Sequence, residues 1–504
     1  MSVSFSRRSA IFMAQAGLLS TASWSFIGCG PTDSLDGPVG AHEPSFGASE
    51  PVAEEGAGSA ELAVEDATFA SREVVRGLSF PIRVVWGPDG YLWLTERVGK
   101  RVVRVRPSDG QKATAVTISE AYQSGGQDGV LGLALHPDLL QDKGADYVYV
   151  SYTYDADPGS AVSRRTKIRR FTYDPTAGTL GSPVDVITGL PGSDDHNSAR
   201  LLFGPDQKLY YTVGDQGNNQ FNRKCLPVGS QDLPTAAEVA ASDWSKYAGK
   251  VLRLNLDGSI PSDNPQIAGT RSHVYSYGHR NPQGLTFRGD TLYANEHGPK
   301  TDDELNVIHP GKNYGWPHVA GYQDNQAYKY ANWSASTTPC AWLAWNDYTP
   351  PSSVPQQQEN AWSHPDFTPP FFTFYTVPDG YNFQNHACGS SGYICWPTIA
   401  PSSLHHYAAA SGIPGWEDSL LMTTLKKGAV YRVKLSATGD SVVGEPVVHF
   451  QTTNRYRDLA MTPDGRTFYV ITDTEGNTSG PTGGATTALS NPGAILEFKY
   501  TEAN

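Results

Sequence analysis

Gly87-Pro88-Asp89-Gly90-Tyr91-Leu92-Trp93-Leu94 is the stretch that decides the fold, because it recurs in altered form along the chain. Pro, Asp and Gly build a tight turn, and the run behind it is aromatic, aliphatic and β-forming. Gly204-Pro205-Asp206-Gln207 stands before Leu209-Tyr210-Tyr211-Thr212-Val213, and Thr462-Pro463-Asp464-Gly465 before Thr467-Phe468-Tyr469-Val470-Ile471. Looser versions are His136-Pro137-Asp138 before Tyr147-Val148-Tyr149-Val150, and Arg288-Gly289-Asp290 before Leu292-Tyr293. Gly415-Trp416-Glu417-Asp418 before Leu420-Leu421-Met422 is another. Six recurrences at irregular spacing predict an all-β chain of strand sets with long loops between them, a β-propeller. A large β-sandwich or several small β domains would also satisfy the bare pattern. The runs end in polar clusters: Thr95-Glu96-Arg97, Gly214-Asp215-Gln216, Asn295-Glu296-His297 and Thr472-Asp473-Thr474. In a propeller those ends meet on one rim, where a site would form.

Composition agrees with a turn-rich β protein. The 504 residues include 51 Gly and 36 Pro, with 38% hydrophobic and only 18% charged side chains. Net charge is -13, and residues 1–66 hold Arg7 and Arg8 against nine acidic groups. Nothing resembles a basic nucleic-acid surface, so no nucleic-acid partner is expected.

Arg7-Arg8 ahead of the apolar stretch Ala10 to Ile27 reads as an export signal over residues 1–28. Ser6-Arg7-Arg8-Ser9-Ala10-Ile11-Phe12 looks like a twin-arginine signal, although ordinary signals also carry paired arginines. Ile27-Gly28-Cys29 resembles a lipobox with Cys29 as the lipidated residue, which makes a periplasmic, membrane-anchored lipoprotein the expectation. Residues 29–70 should form a flexible acidic tether, and 71–504 the folded propeller. Beyond Cys29 stand Cys225, Cys340, Cys388 and Cys395, an even number that reads as disulfides in an exported chain. Cys388 and Cys395 are near enough in sequence to close a small loop, which leaves Cys225 with Cys340.

Two basic clusters suggest chemistry: Gly278-His279-Arg280-Asn281-Pro282-Gln283-Gly284 and Asn454-Arg455-Tyr456-Arg457-Asp458. Guanidinium forks suit planar, multiply carboxylated ligands. Surface ion pairs would explain most such arginines equally well. The stretch from Glu296 to Asp324 is dense in oxygen donors that suit a hard cation, yet its spacing is not an EF-hand, and solvated acidic loops read the same. Asp194-Asp195-His196-Asn197 could supply a general base, since a carboxylate beside His fixes its tautomer; a structural His is the plainer reading. Gly125-Gly126-Gln127-Asp128-Gly129 could place an amide near a ligand or be a blade turn. Tyr393, Trp396 and Lys426 offer an aromatic platform and a cation, although aromatics in β proteins are mostly core.

Read together and in order from about Arg76 to Tyr500, these stretches resemble the soluble quinoprotein glucose dehydrogenases, bacterial enzymes that use pyrroloquinoline quinone (PQQ) and calcium. The resemblance is carried by Trp86-Gly87-Pro88-Asp89, Leu94-Thr95-Glu96-Arg97, Gly126-Gln127-Asp128-Gly129-Val130-Leu131-Gly132, Asp195-His196 and Gly214-Asp215-Gln216-Gly217. It continues through Gly249-Lys250-Val251-Leu252-Arg253-Leu254, Gly278 to Leu285, Asn313-Tyr314-Gly315-Trp316-Pro317, Tyr393-Ile394-Cys395-Trp396-Pro397-Thr398 and Asn454 to Asp458. The family fold is a six-bladed β-propeller.

The resemblance implies that His196 takes the proton from the sugar's anomeric hydroxyl, that Asp195 orients and polarises His196, and that Gln127 and Arg280 complete the catalytic group. It implies that Arg280, Asn281, Lys426, Arg455 and Arg457 hold the cofactor, with Tyr393, Trp396 and Thr398 walling its pocket. Backbone carbonyls of Gly298 and Pro299 would bind its calcium. Further calcium sites map onto Asp303, Glu304, Tyr314, Ala320, Tyr322, Asp324 and Glu359, and the matching cysteine pair is Cys388–Cys395. Gln127, Asp215 and Phe221 would face the sugar. The tether, Ser390-Ser391-Gly392 and the segment from Ser334 to Pro355 depart from the family pattern.

The reading that follows is oxidation of glucose or a related aldose to the lactone, with electrons passed to an external acceptor and a homodimer as one assembly. A broader aldose sugar dehydrogenase, an exported sugar- or cofactor-binding propeller without catalysis and a calcium-dependent lactonase are the alternatives. The last would lack the Arg-Tyr-Arg clamp that this chain carries.

Overall fold

Each of the six turns links the first and second strands of one four-stranded antiparallel sheet in the computed structural model, which describes residues 67–384, 386–408 and 412–502. The first blade comprises Pro81–Trp86, Leu92–Glu96, Arg101–Val105 and Lys112–Thr117; the second Val130–Leu135, Tyr147–Asp155, Arg164–Asp174 and Thr179–Pro191. The third is Ser198–Phe203, Leu209–Val213, Lys250–Leu254 and Val274–Tyr277, and the fourth Pro282–Arg288, Thr291–Glu296, Asp303–Ile308 and Phe372–Phe374. The fifth holds His405–Tyr407, Ser419–Thr423, Val430–Lys434 and Val447–His449. The sixth joins Tyr456–Met461, Thr467–Thr472 and Ile495–Thr501 to the N-terminal strand Thr68–Val75. Thr68 pairs with Thr501, so the two ends of the ring are sewn into one sheet and the first strand opens at Thr68, slightly before the expected Ser71. The fold is the six-bladed propeller. The expected signal peptide, lipidation at Cys29 and nearly all of the tether lie outside the described residues.

The turn chemistry is visible in the hydrogen bonds. Asp89 Oδ1 accepts from Tyr91 N and Trp93 Nε1, both at 3.1 Å, and Asp206 accepts from Lys208 N at 3.1 Å and Tyr210 Oη at 3.0 Å. The turn carboxylate therefore ties itself to the strand that follows. Gly90 and Gly465 sit at φ 74° and 67°, the left-handed region that Gly enters without strain.

Blades pack on one another through apolar faces. Between the third blade and the second, Tyr149, Leu201, Tyr211 and Leu252 are all buried. Between the fifth and sixth, Trp416, Phe450, Phe468 and Phe498 close the gap, the Phe450 and Phe498 rings stacked at 4.1 Å. Each such side chain contributes roughly 1.5–3 kcal/mol through burial. Among the described residues no helix is long and apolar enough to cross a membrane.

The axis is polar. Arg200 forks onto Asp458 at 3.0 and 3.1 Å and donates through Nε to Gln283 O at 3.1 Å. Arg83, 1% exposed, donates to Ser198 O at 3.1 Å, and His405 Nε2 lies 3.0 Å from Asp458 Oδ1. These bonds tie five of the blades across the centre, every one except the second.

Candidate active site

The loops that enter the first strand of each blade and the ends of the second strands share one rim, so residues far apart in sequence meet there. His196 enters the third blade at φ 45°, followed by Ser198 at 56° and Ala199 at 61°, with a break in register between Ser198 and Leu201. Left-handed backbone at a non-Gly residue is held only where its surroundings over-determine it, and such strain gathers at functional sites. This turn aims the imidazole at the end of the Leu209–Val213 strand, where Nδ1 lies 2.7 Å from Asp215 Oδ1.

Asp215 is 1% exposed and also accepts from Trp316 Nε1 and Gly217 N, each at 2.9 Å. Burial pushes its carboxyl up, but His196 and Arg280 outweigh that and hold it below the usual carboxylate range. An ionised Asp215 fixes the proton on Nδ1 and leaves Nε2 as the acceptor.

Two assignments from the sequence therefore change. Asp195, expected to orient the ring, lies 3.8 Å from His196 Nε2 and instead accepts from the backbone N–H of His196 at 2.9 Å. Asp215, expected to face the sugar, has both oxygens committed to protein donors and takes over the orienting role. The physical reason is the left-handed turn at His196, which points the side chain away from its chain neighbour. Asp195 is clamped by two amides, Gln127 Nε2 at 2.5 Å and Gln220 Nε2 at 3.3 Å. Gln220 and Trp316 were not singled out from sequence as site residues; Trp316 stood inside the Asn313-to-Pro317 motif. Phe221, 53% exposed, stands beside Gln220 at φ 46°.

A belt of cations faces this pair. Arg280 donates its backbone N–H to Glu296 Oε1 at 2.9 Å and Nη1 to His297 O at 3.2 Å, and its guanidinium lies 5.4 Å from the Trp316 ring centre. Arg280 Nε is buried without a hydrogen-bond partner. Across the rim Asp473 accepts from Arg455 Nε at 3.1 Å and from Arg457 at 2.7 and 2.9 Å. Burial pushes Asp473 up, yet these two arginines hold it below the usual range.

Lys426 is 5% exposed and donates to Trp396 O at 2.7 Å and Thr398 Oγ1 at 2.5 Å; burial pulls its ammonium down to about 7. Asn281 Oδ1 accepts from Ser198 and Gln283, both at 2.9 Å. Tyr393 is half-exposed and accepts from Asn477 at 2.8 Å, with its ring 6.5 Å from that of Trp396. Arg280, Lys426, Arg455 and Arg457 converge on this rim, and the buried Arg280 Nε has no hydrogen-bond partner there. That donor set fits a planar, multiply carboxylated ligand.

Oxygen donors lie close by. An added Cβ at Gly298 would sit 1.8 Å from Thr301 O, so only glycine fits there. Asp303 spends both oxygens on backbone N–H groups, taking Gly298 at 2.9 Å and Ile399 and Ala400 at 2.6 and 2.8 Å. It orients the Gly298 peptide through Oδ1 and the Ile399–Ala400 backbone through Oδ2. Tyr314 donates to Val307 O at 2.6 Å and stacks on His279 at 4.7 Å, which commits its side chain to packing.

Glu304, Asp302 and Glu359 are buried together around Ala320, Gly321 and Asn325. Glu304 accepts from Gly321 N at 2.7 Å, and Glu359 from Ala320 N at 3.1 Å and Asn325 N at 2.8 Å. Burial first, and then mutual repulsion that includes Asp324, pushes Asp302 and Glu359 up to about 7. Asp302 Oδ2 is a buried oxygen with no donor. Among the described residues no three acidic, imidazole or thiol side chains converge tightly enough to hold a metal alone. A hard cation here would need backbone carbonyls, of the kind Gly298 and Pro299 offer. Tyr322 is 38% exposed at the edge of this cluster.

Beneath the belt a cavity of about 30 Å³ is lined by Arg97, Gln127, Asn197, Ser198, Gln283 and Arg457, room for about one water. A cleft of about 430 Å³ lies on the opposite face, between Arg72, Trp86, Arg106, Tyr469 and Lys499, away from every residue above. Both disulfides are formed, Cys388–Cys395 beside Tyr393 and Cys225–Cys340 between loops of the third and fourth blades.

Known proteins share this architecture. The family model described as Glucose / Sorbosone dehydrogenase matches residues 78–372 and 379–479. Quinoprotein glucose dehydrogenase B of Acinetobacter calcoaceticus is 45% identical over 439 residues, 86% of this chain and 91% of that protein. Aldose sugar dehydrogenase YliI of Escherichia coli is 26% identical over 405 residues, 79% of this chain and 88% of that one. The structure of the PQQ-bound aldose sugar dehydrogenase of Streptomyces coelicolor superimposes with a TM-score of 0.58 at 26% identity, covering 86% of this chain and 99% of the other.

Proposed function

Because the chain belongs to the glucose/sorbosone dehydrogenase family and is an enzyme of the quinoprotein glucose dehydrogenase kind, we propose that it oxidises an aldose at the anomeric carbon to the lactone. PQQ beside calcium would serve the reaction, and electrons would leave to an external acceptor. The observation that carries this reading is a His196 whose Nδ1 is fixed by a buried, ionised Asp215, on a rim that also gathers Arg280, Arg455 and Arg457.

Lys426, Arg455, Arg457 and Asn281 would hold the carboxylates and ring oxygens of the quinone, between Tyr393, Trp396 and Thr398. A bound quinone would supply the hydride acceptor, and the carbonyls of Gly298 and Pro299 would hold a calcium ion able to polarise it. His196 Nε2 takes the proton of the anomeric hydroxyl as hydride leaves the carbon, which becomes the lactone carbonyl. Asp215 stabilises the imidazolium that forms. Arg280, anchored by Glu296 and His297, brings a fixed positive charge to the place where negative charge grows. Gln127 and Asp195 line the sugar side.

Dye reduction by purified apo-protein with glucose, with and without PQQ and calcium, tests this reading. Activity that needs both additions is the expected outcome. Cofactor binding without turnover on a panel of aldoses would favour a binding propeller instead, and failure to bind the cofactor would overturn the assignment of the rim.

A further inference from the structure

The sugar side of His196 is held by a loop of its own blade. Asp195 receives Gln220 Nε2 at 3.3 Å, and Asp194 lies 3.6 Å from Arg223, so both carboxylates beside the catalytic imidazole lean on the short turn at Phe221–Arg223. That turn has no buried residue of its own. It belongs to the loop between the second and third strands of the third blade. Its strained positions, Asn219 at φ 63° and Phe221 at 46°, need something outside the loop to hold them.

The support comes from the long insertion of the fourth blade. Asn219 Nδ2 donates to Ala331 O at 2.9 Å, and Asn219 Oδ1 accepts from Ser334 N at 3.1 Å. The Phe221 ring packs on Trp345 at 5.4 Å, and Trp345 on the buried Trp333 at 4.5 Å. Cys225–Cys340 then bolts the two loops together covalently across 115 residues of sequence. Trp333, Leu343 and Val354 form a small apolar cluster under this joint, with Cys225 and Trp345 packed against it.

We propose that this cross-linked joint is a positioning device for the substrate side of the site. Acting through Gln220 and Arg223, it holds Asp195 and Asp194 where an aldose meets His196, so that Cys340 and Trp345 tune sugar binding without touching the sugar. The inference rests on the reading of His196 and Asp195 as the sugar-facing groups. Loss of the joint frees a strained turn, Gln220 leaves Asp195, and the ground-state complex weakens. The cation belt across the rim does not depend on the joint, so cofactor affinity is unaffected.

The test compares the wild type with the double variant Cys225→Ser/Cys340→Ser and with Trp345→Ala, each loaded with PQQ and calcium. The expected result is a KM for the preferred aldose on the order of tenfold higher in both, the size of one lost hydrogen bond to a charged group. kcat should stay within about twofold, since the general base and its partner are intact. Trp345→Phe, which keeps an aromatic ring against Phe221, should restore the wild-type KM.

A merely structural joint would instead lower the melting temperature and the active fraction, hence kcat, at unchanged KM, and that outcome overturns the proposal. A raised KM for the dye at an unchanged sugar KM also overturns it, because the segment would then serve the electron acceptor. An inactive wild type would count against the dehydrogenase reading. In that case calorimetric titration with a methyl glycoside, which has no oxidisable anomeric hydroxyl, still decides on the joint: equal affinity in wild type and double variant overturns it.

Discussion

Arg455-Tyr456-Arg457-Asp458 contributes to two clusters of arginine and aspartate that behave in opposite ways. At the axis Asp458 meets Arg200, with side-chain exposures of 0% and 7%; Arg200 also caps Gln283 O, while Arg83 spends its terminal nitrogens on backbone carbonyls. That cluster is sealed from solvent, although the Arg83 Nε finds no hydrogen-bond partner inside it. At the rim Asp473 is shared by Arg455 and Arg457, which keep 16% and 17% exposure, and Arg457 lines the small cavity beneath the belt. A bulge between Tyr456 and Asp458 sends the carboxylate inward and leaves the guanidinium groups on the rim. The comparison teaches that arginine beside aspartate is no functional signal by itself. What separates the axis cluster from the rim cluster is whether its guanidinium groups remain accessible to a ligand.

The largest expected effect comes from breaking the closed cluster. Burial pushes Asp458 up, but Arg200, His405 and Arg83 outweigh it and hold the carboxylate far below its usual range, so it is ionised at every working pH. Asp458→Asn strands buried guanidinium charge without its partner, which typically costs about 3–5 kcal/mol. Urea unfolding of the apo-protein should show that loss. A midpoint equal to the wild type would mean that the axis does not depend on the charge pair.

The same operation at the rim should leave the fold and strike the ligand. In Arg457→Met, Asp473 keeps Arg455 at 3.1 Å, so unfolding should shift far less than in Asp458→Asn. Affinity for PQQ should fall about tenfold to a hundredfold, the worth of one charge-assisted fork. Quenching of tryptophan fluorescence by added PQQ measures it. An unchanged affinity would erase the distinction between axis and rim.

The blades were legible because their signal is local. Asp89, Asp206 and Asp464 each bond to a backbone N–H two residues on, so the turn is written in consecutive residues. The site was legible only as motifs. Asp195 adjoins His196 in the chain, and adjacency suggested a partnership that the left-handed backbone at His196 denies. Asp215, the actual partner, stood in a polar cluster at a strand end, where the sequence placed a rim but could not say which side chain turned inward. Asp458 travelled with the arginine motif and proved to serve the axis. Cys225–Cys340 followed only by elimination, because nothing local links a loop of the third blade to an insertion of the fourth.

The smallest expected effect concerns a third group, the buried carboxyls near Gly298, and it has the opposite sign to that of the rim. Asp473 and Asp458 are held low, so their stabilisation is present above the ordinary carboxylate pKa and is lost only as pH falls through their depressed folded values. Asp302 and Glu359 are pushed up to about 7, chiefly by burial. Between the ordinary carboxylate pKa and about 7 the folded apo-protein therefore binds more protons than the unfolded chain, and stability falls as pH rises across that window. A bound divalent cation would replace those protons. Melting of the wild-type apo-protein should accordingly fall more steeply between about pH 5 and pH 8 than that of Asp302→Asn/Glu359→Gln, and added calcium should raise wild-type melting by a few degrees at the higher pH and by less at the lower. Calcium without effect at either pH would mean that these carboxyls, unlike the rim, are sealed against ligands as firmly as the axis is.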